Sequence, residues 1–297
     1  MGGDSFLSLY LVKREMSMKP VWFLFLTVLL PAAPDEPKLA IANASLQQNE
    51  DGPGVAGGFA FTPGEAVYFS CQLTGYQKVE KDNKDTISLT WNIEVRDPKG
   101  ILIVRPEQGK IDAAVTAEDR KWMPKARYSF SVPPFADSGS YRVRFVAKDE
   151  NSKKEASAEL AFAVEGPKVE PSDTLVIRNF RFLRKEEDTE ALKVAAYRPG
   201  DTLWARFDMT GYRLDKENAF DIDYGLAILN GGGQEVYSKL PAAEEKNQSF
   251  YPRRYTPGVI SLDIPKEIPH ATYTLVVTVR DHQGNQTTEV RQKFSIE

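Results

Sequence analysis

The sequence predicts an all-β protein: two tandem antiparallel β-sandwiches behind an amino-terminal signal peptide. Three observations carry this. The stretch from Asp137 to Asp149 returns as Pro269 to Asp281, each with a turn, a Tyr (Tyr141, Tyr273), an apolar run with near-alternation and a closing Asp. Short runs elsewhere alternate apolar and polar residues with period two, as half-buried strands do. Turn residues separate these runs, and neither half of the chain after the amino terminus shows helical periodicity.

Length and composition fit two domains. A chain of 297 residues with 41% apolar residues can bury two cores of ordinary size. The net charge of −4 is spread without a basic face, which argues against nucleic acid and against an anionic membrane surface as partners.

The amino terminus comes first. Met18-Lys19-Pro20 leads into the apolar run Val21 to Leu30, followed by Pro31-Ala32-Ala33-Pro34. A run of about ten residues is half of what a bilayer span needs, so residues 1–33 read as a secretory signal peptide cleaved near Ala33, with no stable membrane anchor. Residues 1–17 are either a long n-region or an extension upstream of a true start at Met18. A later cut after Ala42 would remove a first strand, because Leu39 to Asn43 matches Leu175 to Asn179 at an offset of 136. The expected location is therefore outside the cytoplasm: periplasmic, extracellular or on the cell surface. One Cys excludes an intramolecular disulfide, so packing must supply the stability, and for an exported chain that points to a bacterial origin.

The first sandwich is expected over residues 39–165 and the second over 175–297. Pro63-Gly64-Glu65 matches Pro199-Gly200-Asp201, and Thr74-Gly75-Tyr76 matches Thr210-Gly211-Tyr212, both at 136. Ile87 to Asp97 then matches Phe220 to Asn230 at 133, and Tyr128 to Glu165 matches Ile260 to Glu297 at 132. The offset changes between strands, which places the length differences in loops. Val67, Phe69, Cys71 and Leu73 alternate inward, as do Leu203, Ala205, Phe207 and Met209. Ile87 to Val95 and Phe220 to Tyr224 form a third strand, ended by the hairpin turns Asp97-Pro98-Lys99-Gly100 and Asn230-Gly231-Gly232-Gly233. Strands around Phe130 and Leu262, the two Tyr strands, and last strands through Leu160 and Phe294 bring the expected number to about seven per sandwich.

Cys71 on the second strand, Trp91 on the third, and Asp137-Ser138-Gly139-Ser140-Tyr141-Arg142-Val143 entering the sixth resemble the immunoglobulin-like pattern of Cys, Trp and the tyrosine corner Asp-x-Gly-x-Tyr-x-Cys. That resemblance implies an immunoglobulin-like sandwich. Val143 stands where the pattern has its second Cys, and the second half has Phe207, Tyr224 and Leu275 at the three positions, so fibronectin type III and other sandwich modules stay open. The corner implies that Tyr141 and Tyr273 return their hydroxyls to backbone near the preceding turn. Residues 166–174 contain two prolines and read as a short, semi-rigid linker.

Most polar residues read as structural. Cys71 belongs to the core face. His270 and His282, the only histidines, lie in different turns and do not make a zinc site. Asp221 and Asp223 read as a solvated strand face, and Glu244-Glu245 as a solvated loop. Glu165, Glu170 and Asp173 near the linker lack the acidic run that a calcium junction requires. Asn43, Asn247 and Asn285 head three N-x-Ser/Thr matches that matter only in a eukaryotic secretory route. The charged stretch Gln77 to Asp85 reads as a solvated loop. No catalytic residues, no cofactor and no metal are expected.

One loop stands out. Phe250, Tyr251, Arg253, Arg254 and Tyr255 crowd three aromatics and two arginines into six positions, the composition of interaction hot spots. Its counterpart contains Lys121 and Trp122; Trp122 and Tyr255 are expected to seal the ends of their own sandwiches. The expectation is a non-catalytic exported protein that uses residues 250–255 to bind an extracytoplasmic protein or polysaccharide, with a purely structural spacer or assembly subunit as the alternative. Exposure of the loop favours binding and burial favours the spacer.

Overall fold

The computed structural model describes residues 38–297, so the signal peptide expected at 1–33 lies outside the described residues. The first sandwich contains β1 (Ala40–Gln47), β2 (Ala60–Phe61), β3 (Ala66–Thr74), β4 (Val79–Lys81), β5 (Lys84–Arg96), β6 (Glu107–Val115), β7 (Lys125–Ser131), β8 (Gly139–Asp149) and β9 (Glu155–Val164). One sheet has the order β1-β3-β7. The other has the order β2-β9-β8-β5-β4, with β6 also paired to β5. The second sandwich contains β10 (Val176–Leu183), β11 (Ala196–Tyr197), β12 (Thr202–Thr210), β13 (Ala219–Leu229), β14 (Glu235–Gln248), β15 (Tyr255–Asp263), β16 (Thr272–Asp281) and β17 (Gln286–Ile296). Its sheets run β10-β12-β15 and β11-β17-β16-β13-β14. In both sandwiches the main ladders are antiparallel, while the two-residue strands β2 and β11 run parallel to β9 and β17.

Alternation builds the cores. Val67, Phe69, Cys71 and Leu73 point inward from β3, and Leu203, Ala205, Phe207 and Met209 from β12, all at 2% exposure or less. A fully buried side chain of the larger kinds contributes about 1.5–3 kcal/mol, so these two faces are a main source of stability. Cys71 is a core residue as expected, and burial pushes its thiol up to about 12.

The recurring tripeptides have a steric cause. Gly75 and Gly211 take left-handed φ values of 66° and 79°, and a Cβ on either would collide with a carbonyl of the chain entering the first strand, that of Lys38 or Thr174. Gly64 and Gly200, at φ 87° and 91°, follow the prolines of tight turns, where Glu65 accepts a bond from the Thr62 N–H and Asp201 one from the Arg198 N–H. Asn43 and Asn179 are left-handed at matching bulges of β1 and β10. The two corners form as expected: the Tyr141 hydroxyl donates to the Asp137 carbonyl at 2.8 Å, and that of Tyr273 to the Pro269 carbonyl at 3.0 Å.

The Asp that closes each Tyr strand is a second lock. Asp149 accepts from the Gln77 N–H at 2.7 Å and from Asn151 N–H and the Ser152 hydroxyl; Asp281 accepts from the Arg213 N–H at 2.8 Å and from Gln283 and Gly284. Each therefore ties the loop after the second strand to the final hairpin. Burial works against the Asp149 carboxylate, yet the bonds from Gln77, Ser152 and Asn151 outweigh it and hold its pKa below the ordinary value.

Several sequence expectations need correction. The edge strands β6 and β14 and the short β2 and β11 raise the count above seven per sandwich. Glu244 and Glu245 lie in β14, not in a loop. The stretch Gln77 to Asp85 contains a hairpin: Asp82 and Asn83, at φ 52° and 59°, make a tight turn between β4 and β5. Asp223 is 6% exposed, with its Oδ2 2.7 Å from His282 Nε2 and its Oδ1 3.4 Å from Arg280 Nε, so only Asp221, bridged to Lys246, suits a solvated face.

Candidate functional site: the joint between the sandwiches

Residues 250–255 lead from β14 into β15; Thr210, Tyr212 and Asn218 of their own sandwich hold their backbone, and their side chains reach the first sandwich. The receiving surface is made by the β5–β6 turn and the loop before β8. In that turn Asp97 Oδ1 accepts the Lys99 and Ile101 N–H groups at 2.9 and 2.8 Å, which frees Oδ2 to face the second sandwich.

Tyr251 is the centre of the joint. It is 6% exposed and belongs to the buried cluster of the first sandwich, and its hydroxyl donates to Asp97 Oδ2 at 3.0 Å. Burial pushes the phenol well above its ordinary pKa, so it remains a donor at every physiological pH. Arg254 Nη1 donates to Asp137 Oδ2 at 2.7 Å, and Nη2 lies 3.4 Å from Asp97 Oδ2. Its guanidinium sits 5.7 Å from the Tyr251 ring centre. Burial alone would lower the Arg254 pKa, but Tyr251, Asp137 and Asp97 outweigh it and keep the group charged.

Aromatic contacts complete the joint. Arg253 stacks over the Phe135 ring at 3.7 Å from its centre, and Tyr255, 5% exposed, meets Phe135 edge to face at 5.5 Å. Burial pushes the Arg253 guanidinium down from its usual range; the Phe135 face and a bond from Nη2 to the Thr256 hydroxyl replace part of the lost water, while the buried Nε has no hydrogen-bond partner among the described residues. The linker closes one side: the Ser138 hydroxyl exchanges two 3.0 Å hydrogen bonds with the backbone of Gly166. Lys99, Asp137, Pro167, Glu170, Arg254 and Tyr255 line a shallow cleft of about 440 Å³ over the seam.

The structure thus brings together all five residues singled out in the sequence, but on the chain itself. Of the five, only Phe250 remains a large exposed aromatic, 44% exposed and 6.0 Å from the Arg105 guanidinium. The expectation that Tyr255 seals its own sandwich is corrected: it seals the seam. Trp122, expected to do the same in the first sandwich, is 40% exposed. Its loop is nonetheless placed like the second one, since Tyr76 donates to the Trp122 carbonyl at 3.0 Å as Tyr212 donates to the Arg253 carbonyl at 2.7 Å. Sequence reasoning missed the receptor residues Asp97, Asp137 and Phe135, which look like ordinary turn residues.

A second feature lies at the far end of the second sandwich. A cavity of about 890 Å³ opens there, lined by Ile228, Leu262, Ile264, Ile268, Tyr273 and Phe294 among others, with Val236 and Tyr237 exposed at its lip. Among the described residues no group of three or more His, Cys, Asp or Glu is placed to hold a metal ion. No helix among them is long and apolar enough to cross a membrane.

No protein-family model matches the chain, and no curated protein does. Among solved structures, the C-terminal domain of the Streptococcus pyogenes antigen I/II-family protein AspA aligns over 89% of this chain and 100% of that one, at 11% identity and a TM-score of 0.28. A likeness that weak carries no functional inference, and the all-β sandwich architecture rests on the strand pairing itself.

Proposed function

We propose that this is a non-catalytic exported structural protein, a spacer whose two sandwiches are held at a fixed angle by the plug of residues 250–255. The observation that carries the reading is Tyr251: a residue of the second sandwich buried in the core of the first and bonded to Asp97 across the seam. A flexible tether between independent binding modules has no use for such a lock, whereas a protein that must transmit reach or orientation does. The apolar run at Val21 to Leu30 supports export, to the periplasm, the cell surface or the medium. Binding of an outside protein or polysaccharide by the loop is the weaker reading, because Tyr251 and Tyr255 have no free face to offer.

Small-angle scattering on the purified chain tests this. The wild type should fit one fixed arrangement of the two sandwiches, and the double change Tyr251→Ala with Arg254→Ala should require a range of angles. A wild type that already needs a range overturns the reading, and retention of wild type, but not the variant, on polysaccharide arrays would restore the binding role.

A further inference from the structure

The intrachain joint is heterologous: the end of one sandwich that carries the β14–β15 loop enters the opposite end of the other. Each sandwich therefore has a plug end and a socket end, and the joint uses one of each. The unused pair is the Trp122 loop of the first sandwich and the cavity of the second.

That cavity is the counterpart of the seat occupied by Tyr251. The groups around the Tyr251 hydroxyl are Asp97 and Tyr141. Their counterparts, at offsets of 133 and 132, are Asn230 and Tyr273, and both line the cavity. The turns share their hydrogen-bond pattern: Asn230 Oδ1 accepts the Gly232 and Gln234 N–H groups, both at 3.0 Å, as Asp97 Oδ1 accepts those of Lys99 and Ile101. What differs is the filling. In the first sandwich an aromatic side chain occupies the seat; in the second no described residue fills it, and Val236 and Tyr237 are 53% and 45% exposed.

The unused plug carries a matching group. Trp122 is the one exposed Trp or Tyr among the described residues of the first sandwich, and it lies on the loop that corresponds to 250–255. Trp is among the residues most enriched at interface hot spots, where it buries its surface in an apolar pocket. Lys121 beside it suits the exposed acids Asp263 and Glu267 at the cavity wall, where the first joint instead pairs Arg254 with Asp137.

We infer that the cavity at the far end of the second sandwich receives the Trp122 loop of a second copy of this chain, repeating between molecules the joint already made within one. Such a contact is head to tail and does not close on itself, so it generates open chains of protomers. The inference takes from the structural reading above only the plug-and-socket geometry, and it can fail while the intrachain joint stays rigid.

Sedimentation velocity over a concentration series tests it on the purified chain and two surface variants, Trp122→Ala and Val236→Lys. The wild type should grow beyond dimers as concentration rises, and each variant alone should lose every species above monomer. An equimolar mixture of the two should form dimers and nothing larger, since it has one intact plug and one intact socket. A wild type that stays monomeric at its highest soluble concentration overturns the inference, as do variants that assemble like wild type or a mixture that stays monomeric. A monomer that carries a co-purifying apolar small molecule in native mass spectrometry also overturns it, in favour of a ligand cavity. Scattering that shows a rigid joint in such a monomer would leave the spacer reading intact.

Discussion

The two sandwiches share strand order, corner tyrosines and turn glycines, yet their corresponding ends have different chemistry. The end of the first sandwich has Asp97 and Asp137 and holds Tyr251 and Arg254; the end of the second has Asn230 and Pro269 at those places and, among the described residues, receives no such plug. Features that stabilise a sandwich from within recur, and features that face the neighbour do not. The acids are thus explained by what they receive rather than by the turn in which they sit.

The largest expected effect should treat both halves alike. Gly75→Ala and Gly211→Ala each place a Cβ against backbone from a left-handed residue, and each should cost on the order of 4 kcal/mol in urea unfolding. A loss in only one half would break the equivalence. Next, Asp97→Asn gives the first sandwich the turn residue of the second. The turn should survive, but Arg254 loses a charged partner and Tyr251 a charged acceptor, for a loss of about 2 kcal/mol. The reciprocal Asn230→Asp should stay within about 0.5 kcal/mol, because no cation among the described residues is bonded there. Equal effects would show that the acid serves the turn alone.

Tyr141→Phe and Tyr273→Phe each remove one corner bond and should cost about 1 kcal/mol without altering the fold, read as a shift in unfolding midpoint. The smallest effect concerns acid. Because the Asp149 pKa is depressed in the folded state, its ionised form adds stability above the unfolded value of about 3.9, and that share is lost as pH falls through the folded value. Asp149→Asn should therefore be less stable at neutral pH and show a flatter stability curve below about pH 4. An acid limb as steep as the wild type would assign the lost stability to other carboxylates.

Much of this was legible in the sequence because it is local. Positive-φ glycines, a Pro-Gly turn and an Asp at the end of a strand state their own geometry within a few residues, and the alternation on β3 and β12 marks the buried face. The edge strands were hidden for a physical reason: β14 is exposed along most of its length and carries Lys239, Pro241, Glu244 and Lys246, so no apolar face registers. The loop at 250–255 was visible as a contact surface, but its occupant was not. Asp97 lies 154 residues away from Tyr251, and the same aromatics and arginines serve a joint within a chain as well as one between chains.

β14 also sets a limit on the directions in which the molecule can be extended. A 14-residue strand at a sheet margin would ordinarily invite a neighbour to pair along it. Here Pro241 has no N–H to give, and charged side chains before and after it repel a flush partner. Lateral stacking is discouraged where it would be easiest, and the ends remain as the places for contact. A molecule that associates as inferred above would lengthen into a thread rather than spread into a sheet.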